Sequence, residues 1–215
     1  MEFSQLIADR HSTRSFSERE VTTEQLEIMV KEASQTASWV NSQPWKVYVA
    51  TGATLQAIRD DHKRLLAQGV KSSPVFPVLS RTGFQPDQQA NMAQWSEEQA
   101  AYSAVDDESF WQLNRDLFHA PAIVYIGLPK ASPLWSVLDL GAFLQTLSLS
   151  ANNQGLATMV AYEFTKFPAA LADRLSLDPH YEVAIGMAVG YEDDHPVNQF
   201  RASRRSLDDL LTILD

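Results

Sequence analysis

Ala122-Ile123-Val124-Tyr125-Ile126-Gly127, followed within a few residues by the long apolar stretch Leu134–Asn153, decides the fold. A continuous apolar run of this length suits a strand covered on both faces rather than one side of an open sheet. The longer stretch has helical length, and Gly155 is placed to end it. Outward from this pair, Tyr181–Val189 reads as another buried strand closing on Gly190, and Lys46–Ala50 as a third, ahead of Thr51-Gly52. Helices are expected over Phe3–Ala8, over Thr23–Ala37 with Thr23 as cap, and over Ala53–Gln68 up to Gly69. Further helices are expected over Gln88–Val105, Glu108–Phe118 and Phe167–Leu177, and over Ser206–Leu214 with Ser206 as cap. Many helices with few, widely spaced strands argue an α+β or three-layer α/β/α domain around one modest sheet.

The chain has 215 residues, 45% of them hydrophobic and 20% charged, which fits one globular domain over 1–215. No repeat and no clean linker divides it. Seventeen basic against 27 acidic residues give a net charge of −10. That balance argues against nucleic acid and against an anionic membrane surface as partners. Any bound anion therefore needs a local basic pocket. Without cysteine there is no disulfide, thiolate metal site or thiol nucleophile. Met1–Gln5 has neither a basic n-region nor an apolar h-region, so a cytoplasmic protein is expected. Leu134–Ala151 contains Asp139 and Gln145, and reads as a buried core helix rather than a membrane span.

Three clusters could carry chemistry. Arg10-His11-Ser12-Thr13-Arg14-Ser15-Phe16 combines guanidinium forks with hydroxyls, a set that matches phosphate oxygens. On spacing alone, a solvated helix end with a capping serine is the stronger account. Arg201, Arg204 and Arg205 form a second basic group, for which, taken alone, a solvated face before the last helix is the stronger account. Sequence does not show whether the two groups converge. Ser38-Trp39-Val40-Asn41-Ser42-Gln43-Pro44-Trp45 offers amide donors and acceptors of the kind the dione edge of a flavin needs. It reads as well as a polar loop with two core tryptophans. No histidine pair has metal-ligand spacing, and no GxSxG, GxGxxG or Walker A loop is present. Asp193-Asp194-His195 reads as a polar turn.

Taken in order, the clusters resemble the FMN-dependent nitroreductase family. Arg10–Phe16 is similar to its R-x-S-x-R-x-F signature, and Ser38–Trp45 to its S-x-x-N-x-Q-P-W signature. Asp139-Leu140-Gly141 with Gln145 and the later Gly155-Leu156 resemble its central helix and G-L ending. Ala184–Gly190 resembles its late strand, and Arg201–Leu207 its basic segment before the last helix.

The resemblance implies a three-layer α/β/α fold with a small central mixed or antiparallel sheet, and a homodimer with FMN at its interface. It implies that Arg10, His11, Ser12 and Arg14 hold the phosphate and ribityl end, with Arg204 closing from the C-terminal side and Arg201 as a second candidate. Ser38, Asn41 and Gln43 would face the flavin, often from the partner subunit. Val160–Glu163, and with it Tyr162 and Glu163, would bring backbone groups to the ring, although the wording there departs from the family's. No metal and no protein acid, base or nucleophile is called for. NADH or NADPH would reduce the flavin, which would reduce nitroaromatic, quinone or related electron-poor acceptors in a ping-pong sequence. The variable excursion 70–118 would border the substrate, making Trp95, Tyr102, Phe110 and Trp111 candidates for a lid or for packing. A reductive dehalogenase and a non-catalytic FMN-binding protein would share the same pocket.

Overall fold

The structure, a computed structural model, describes residues 2–102 and 106–214. Four strands, Lys46–Thr51 (β1), Ala122–Pro129 (β2), Ala157–Ala161 (β3) and Tyr181–Gly190 (β4), form one antiparallel sheet in the order β1-β2-β4-β3. The helices are Phe3–Asp9 (α1), Thr23–Ala33 (α2), Gly52–Ala67 (α3), Pro86–Ala101 (α4), Asp107–Arg115 (α5), Leu134–Asn153 (α6) and Pro168–Arg174 (α7).

The interior strand β2 is buried at every position except Pro129, because its two faces serve two cores. Val124, Ile126 and Leu128 pack with Leu26 and Met29 of α2 and with Leu140, Phe143 and Leu147 of α6. Ile123 and Tyr125 point the other way, toward Leu55 and Ile58 of α3 and Leu171 of α7. The result is the expected three-layer α+β arrangement. In β4 the parity changes partway: Ala184 faces the first core and Val183 the second, whereas Met187 and Val189 face the first and Ala188 the second. A bulge explains the change, since Ile126 pairs with Ile185 but Gly127 pairs with Val183.

α6 runs over the predicted residues. It is long and apolar enough to cross a membrane by length and composition, yet it buries Asp139, Leu140, Phe143, Leu147 and Ala151 in the fold. Gly155 follows it at φ +74, and Leu156 N donates to Ala151 O across the turn (2.9 Å), a left-handed helix end that suits glycine. Opposite the buried side lies an exposed stripe at helical spacing, Leu134, Leu138, Gly141 and Gln145.

Several boundaries differ from the sequence expectation. α2 is capped by Thr22, in a reciprocal box with Gln25, and stops at Ala33, where the Ser34 hydroxyl turns back to Lys31 O (2.7 Å). β3 went unrecognised because it is five residues long, has only a single bridge from Ser12 on its outer side and exposes Val160. α4 starts at Pro86, earlier than expected, and the expected extension through 103–105 lies outside the described residues. α5 ends early because Leu117, Phe118 and His119 all take positive φ and turn the chain into β2. The terminal helix expected over Ser206–Leu214 is absent. Ser206 Oγ does accept from Asp209 N (3.3 Å), but the chain makes only one turn. Leu207, Leu210, Leu211 and Leu214 stay exposed, and so short a helix needs a surface to pack on.

Behind β4 sits the 3-10 turn Tyr162–Thr165, whose backbone fits only because residue 186 is glycine. A Cβ there would lie 2.5 Å from Phe164 Cβ. The same turn sends Glu163 inward, where its Oε1 meets His62 Nε2 of α3 (3.0 Å) and Lys166 Nζ (2.8 Å). Burial alone would raise the Glu163 carboxyl, but the hydrogen bonds from His62 and Lys166 outweigh it and hold the carboxyl below its ordinary range.

Gly186→Ala is expected to lower unfolding stability by about 1–3 kcal/mol in urea denaturation. Gly83→Ala, with nothing within 4 Å of the new Cβ, should be near neutral. Glu163 contributes stability that is complete above the unfolded carboxyl pKa, about 4.3, and is lost as pH falls through the lower folded value. The urea midpoints of wild type and Glu163→Gln should therefore converge on acidification below about pH 4.3. A gap that stays constant with pH would contradict this origin.

Candidate functional site

α1 ends as Arg10 turns to extended backbone, and the chain then runs between β3 and the C-terminal segment. Thr13 N donates to Thr158 O (3.0 Å), and Ser17 N to Tyr191 O (2.9 Å). The buried carboxamide of Asn198 closes the seam. Its Oδ1 accepts from Arg14 N (2.8 Å) and Ser15 N (3.1 Å), and its Nδ2 donates to Ser15 O (2.8 Å) and Asp193 Oδ1 (3.0 Å). Ser15 Oγ adds a 2.6 Å bond to Asp193 Oδ2. The Asp193–His195 stretch is thus a polar turn, as expected. Among the described residues, no group of His, Asp and Glu is placed to hold a metal ion.

This seam brings the two basic groups together. Arg10, His11, Ser12 and Arg14 line one side of an open cavity of about 550 Å³, and Arg201 and Arg204 the other. Gln145 of α6 and Phe200 complete its wall. The guanidinium groups of Arg14, Arg201 and Arg204 donate to backbone carbonyls: Arg14 to Ser12 O, Arg201 to Asn198 O, and Arg204 to Ala202 O and Ser203 O. Among the described residues, none of Arg10, Arg14, Arg201 and Arg204 pairs with a carboxylate. Burial, and then the charge of Arg204, lower the Arg10 pKa; burial lowers that of Arg14. Four cations converge without a counter-charge in an acidic chain, which is the electrostatic requirement for a bound dianion. Both ring nitrogens of His11 already have partners: Nδ1 meets Asp9 O (2.8 Å) and Nε2 meets Glu192 Oε2 (2.7 Å).

Ser38, Asn41 and Gln43 lie elsewhere in the same chain. They occupy a tight loop with Val40, Asn41 and Gln43 at φ +50, +56 and +42, values that cost non-glycine residues about 1–3 kcal/mol each. Packing and hydrogen bonds hold the loop. Trp39 N donates to Asp139 Oδ2 of α6 (3.0 Å), Gln43 N to Ser38 Oγ (3.0 Å), and Gln43 Nε2 to Asn41 Oδ1 (3.0 Å). Trp45 stacks on Phe143 at 4.5 Å, whereas Trp39 remains exposed. Tyr162 is exposed in the turn after β3 and does not line the arginine cavity. Glu163 spends its carboxylate on His62 and Lys166, so only its backbone is left for a ligand. Trp95, Tyr102 and Phe110 pack around Phe200 and Arg14 at the cavity wall, and Trp111 is exposed beside Phe110.

The sequence reading missed Asn198 and Phe200 and assigned Gln145 no role. Gln145 carried a usable signal, being the polar member of an otherwise apolar helical stripe. Asn198 carried none, because its partners in the N-terminal loop, Arg14 and Ser15, lie more than 180 residues away.

Comparison with known proteins bears on the fold and the family. The Nitroreductase family model matches residues 7–191. A 4-nitrobenzoate reductase from Nocardioides sp. (strain LMS-CY) is 28% identical over 231 residues, covering 99% of this chain and 90% of its own length. The 4-nitrobenzoate reductase of Pseudomonas putida is 29% identical over 215 residues, covering 94% of this chain and 91% of its own. The crystal structure of the FMN and NADPH-dependent nitroreductase NfnB from Sphigopyxis sp. strain HMH superposes with a TM-score of 0.91 over the whole of both chains at 24% identity. Arg201 and Arg204 lie beyond the residues that the family model matches, and their place in the cavity rests on the geometry. A match that runs from within α1 to the residue after β4 takes in the entire sheet and the helices on both its faces, and on that ground the chain belongs to the nitroreductase family.

Proposed function

We propose that this chain holds FMN with its phosphate in the arginine cavity and uses NADH or NADPH to reduce nitroaromatic compounds, quinones and related electron-poor acceptors. The carrying observation is the convergence of Arg10, Arg14, Arg201 and Arg204 with no carboxylate partner among the described residues. The donor set fits the group: guanidinium forks and the Ser12 hydroxyl are what phosphate-ester oxygens accept from. FMN, when bound, supplies the redox chemistry, taking two electrons from the nicotinamide and delivering them to the acceptor. The protein's part is to bind and orient. Ser12 and the four arginines fix the phosphate end. Asn41 and Gln43, in a loop made rigid by Asp139 and Trp45, offer amide groups to a heterocycle edge. The backbone of Val160–Glu163, clamped from behind by His62 and Lys166, would contact the ring.

Loop and cavity both meet α6, with Gln145 of its exposed stripe at the cavity and Asp139 of its buried side under the loop. Leu134 and Leu138 on that stripe are 85% and 63% exposed, and Trp39, Val40 and Trp135 are exposed beside them. A homodimer burying this surface would bring a second copy's loop toward the first copy's cavity. The relatives named 4-nitrobenzoate reductase make 4-nitrobenzoate the first acceptor to test. One NfnB described as FMN and NADPH-dependent, and another described as FMN-dependent and in complex with NADPH, support the donor and cofactor. A chain without cysteine suits the reducing cytoplasm where reduced nicotinamides are found.

The purified protein is expected to be yellow, to release FMN on acid treatment, and to oxidise NADPH or NADH with 4-nitrobenzoate. Double-reciprocal plots should give parallel lines. A colourless protein that fails to take up added FMN would overturn the reading, and intersecting lines would overturn the ping-pong sequence. Arg14→Met should weaken FMN binding by about ten- to a hundred-fold, the loss for one charge-assisted contact of about 1.5–3 kcal/mol. Riboflavin, which lacks the phosphate, should be nearly indifferent to the change in a titration calorimeter.

A further inference from the structure

Phe200 stands between the cavity and the helix α4. On one side its ring meets Trp95 of α4 (centroids 6.2 Å apart, planes at 78°) and Tyr102 just beyond it (5.9 Å). On the other side the Arg14 guanidinium carbon lies 5.9 Å from its centroid, while Phe110 of α5 faces the same guanidinium at 5.8 Å. The Arg14 side chain has its hydrogen bond to Ser12 O (3.1 Å), so the two rings do much to set the direction of its remaining donors. α4 has no buried residue. It is tied down by Gln94 Nε2 to Ser203 Oγ (3.1 Å), Ser203 N to Glu98 Oε2 (3.2 Å), Tyr102 OH to Pro196 O (2.9 Å) and Arg205 to Asp87 (3.3 Å). All four contacts end on residues 196–205, the segment that also carries Arg201 and Arg204.

From this arrangement we infer that Phe200 is a positioning residue that couples phosphate binding at Arg14 to the order of α4; the inference rests on the FMN reading above. A phosphate that engages Arg14, Arg201 and Arg204 holds the 196–205 segment in place, and the segment in turn holds α4, whose other side-chain ties, Arg81 to Ser96 and Gln89 to Phe84 O, run to the turn just before it. The coupling is reciprocal, so loosening the ring contacts weakens the grip on the phosphate. A helix with no buried residue belongs to the low-stability part of a fold, where ligand occupancy changes local opening most.

The test is amide hydrogen exchange on the FMN-loaded protein and on the same protein loaded with riboflavin, with titration of both flavins. Exchange across 86–101 should be slower with FMN than with riboflavin, while α3 (52–67) exchanges alike in both. Inorganic phosphate added to the riboflavin-loaded protein should restore part of the protection. Phe200→Leu should erase the difference in α4 and raise the FMN dissociation constant about ten-fold, leaving riboflavin within about two-fold; Phe200→Tyr should restore both. If Phe200→Leu fails to fold, Trp95→Leu, which alters the α4 side of the Phe200 ring and not the Arg14 side, should give a smaller change in the same direction. Equal α4 exchange with the two flavins, or equal weakening of both by these variants, overturns the coupling. A wild-type protein that binds neither flavin overturns the FMN reading instead.

Discussion

The carboxamide of Asn198 is the interaction on which the rest of the site depends. Its oxygen receives two backbone N–H groups of the N-terminal loop, and its nitrogen donates back to that loop and to Asp193. An amide side chain accepts at its oxygen and donates from the adjacent nitrogen, so one residue can serve both kinds of backbone group. The bonds are buried, so leaving any one of them unmade carries the full desolvation cost. Through this seam, residues 10–14 and 201–204, at opposite ends of the chain, come to face one cavity. Without it they are two arginine clusters in a strongly acidic protein.

The three-layer core provides the frame for that seam. β2 is buried on both faces, which fixes the sheet between α2 and α6 on one side and α3 and α7 on the other. β3, the short edge strand, aligns Thr158 against the N-terminal loop. Gly186 lets the turn after β3 approach β4. α6 supplies both Asp139, which pins the strained loop 38–45, and Gln145, which lines the cavity. One helix therefore sets the spacing between the phosphate end and the loop proposed for the ring.

Much of this was legible in the sequence, for identifiable reasons. The buried strand and the long helix announced themselves through unbroken apolar runs, and α6 has the boundaries its pattern predicts. The basic groups and the Ser38–Trp45 loop were visible as residue types in order. Their convergence was not, because it depends on hydrogen bonds between residues 184 apart, to which local pattern is blind. The inward turn of Glu163 was hidden for the same reason, since His62 comes from α3. The terminal helix was misread because periodicity reports an apolar face and not whether a surface exists to cover it. β3 was missed because a five-residue edge strand carries too short a signal.

The most direct measurement is a crystal structure of the protein with its flavin bound. The account predicts phosphate density between the guanidinium groups of Arg10, Arg14, Arg201 and Arg204, with Ser12 Oγ within hydrogen-bonding distance. Flavin density elsewhere, with those arginines facing only solvent or turned to carboxylates, would contradict it.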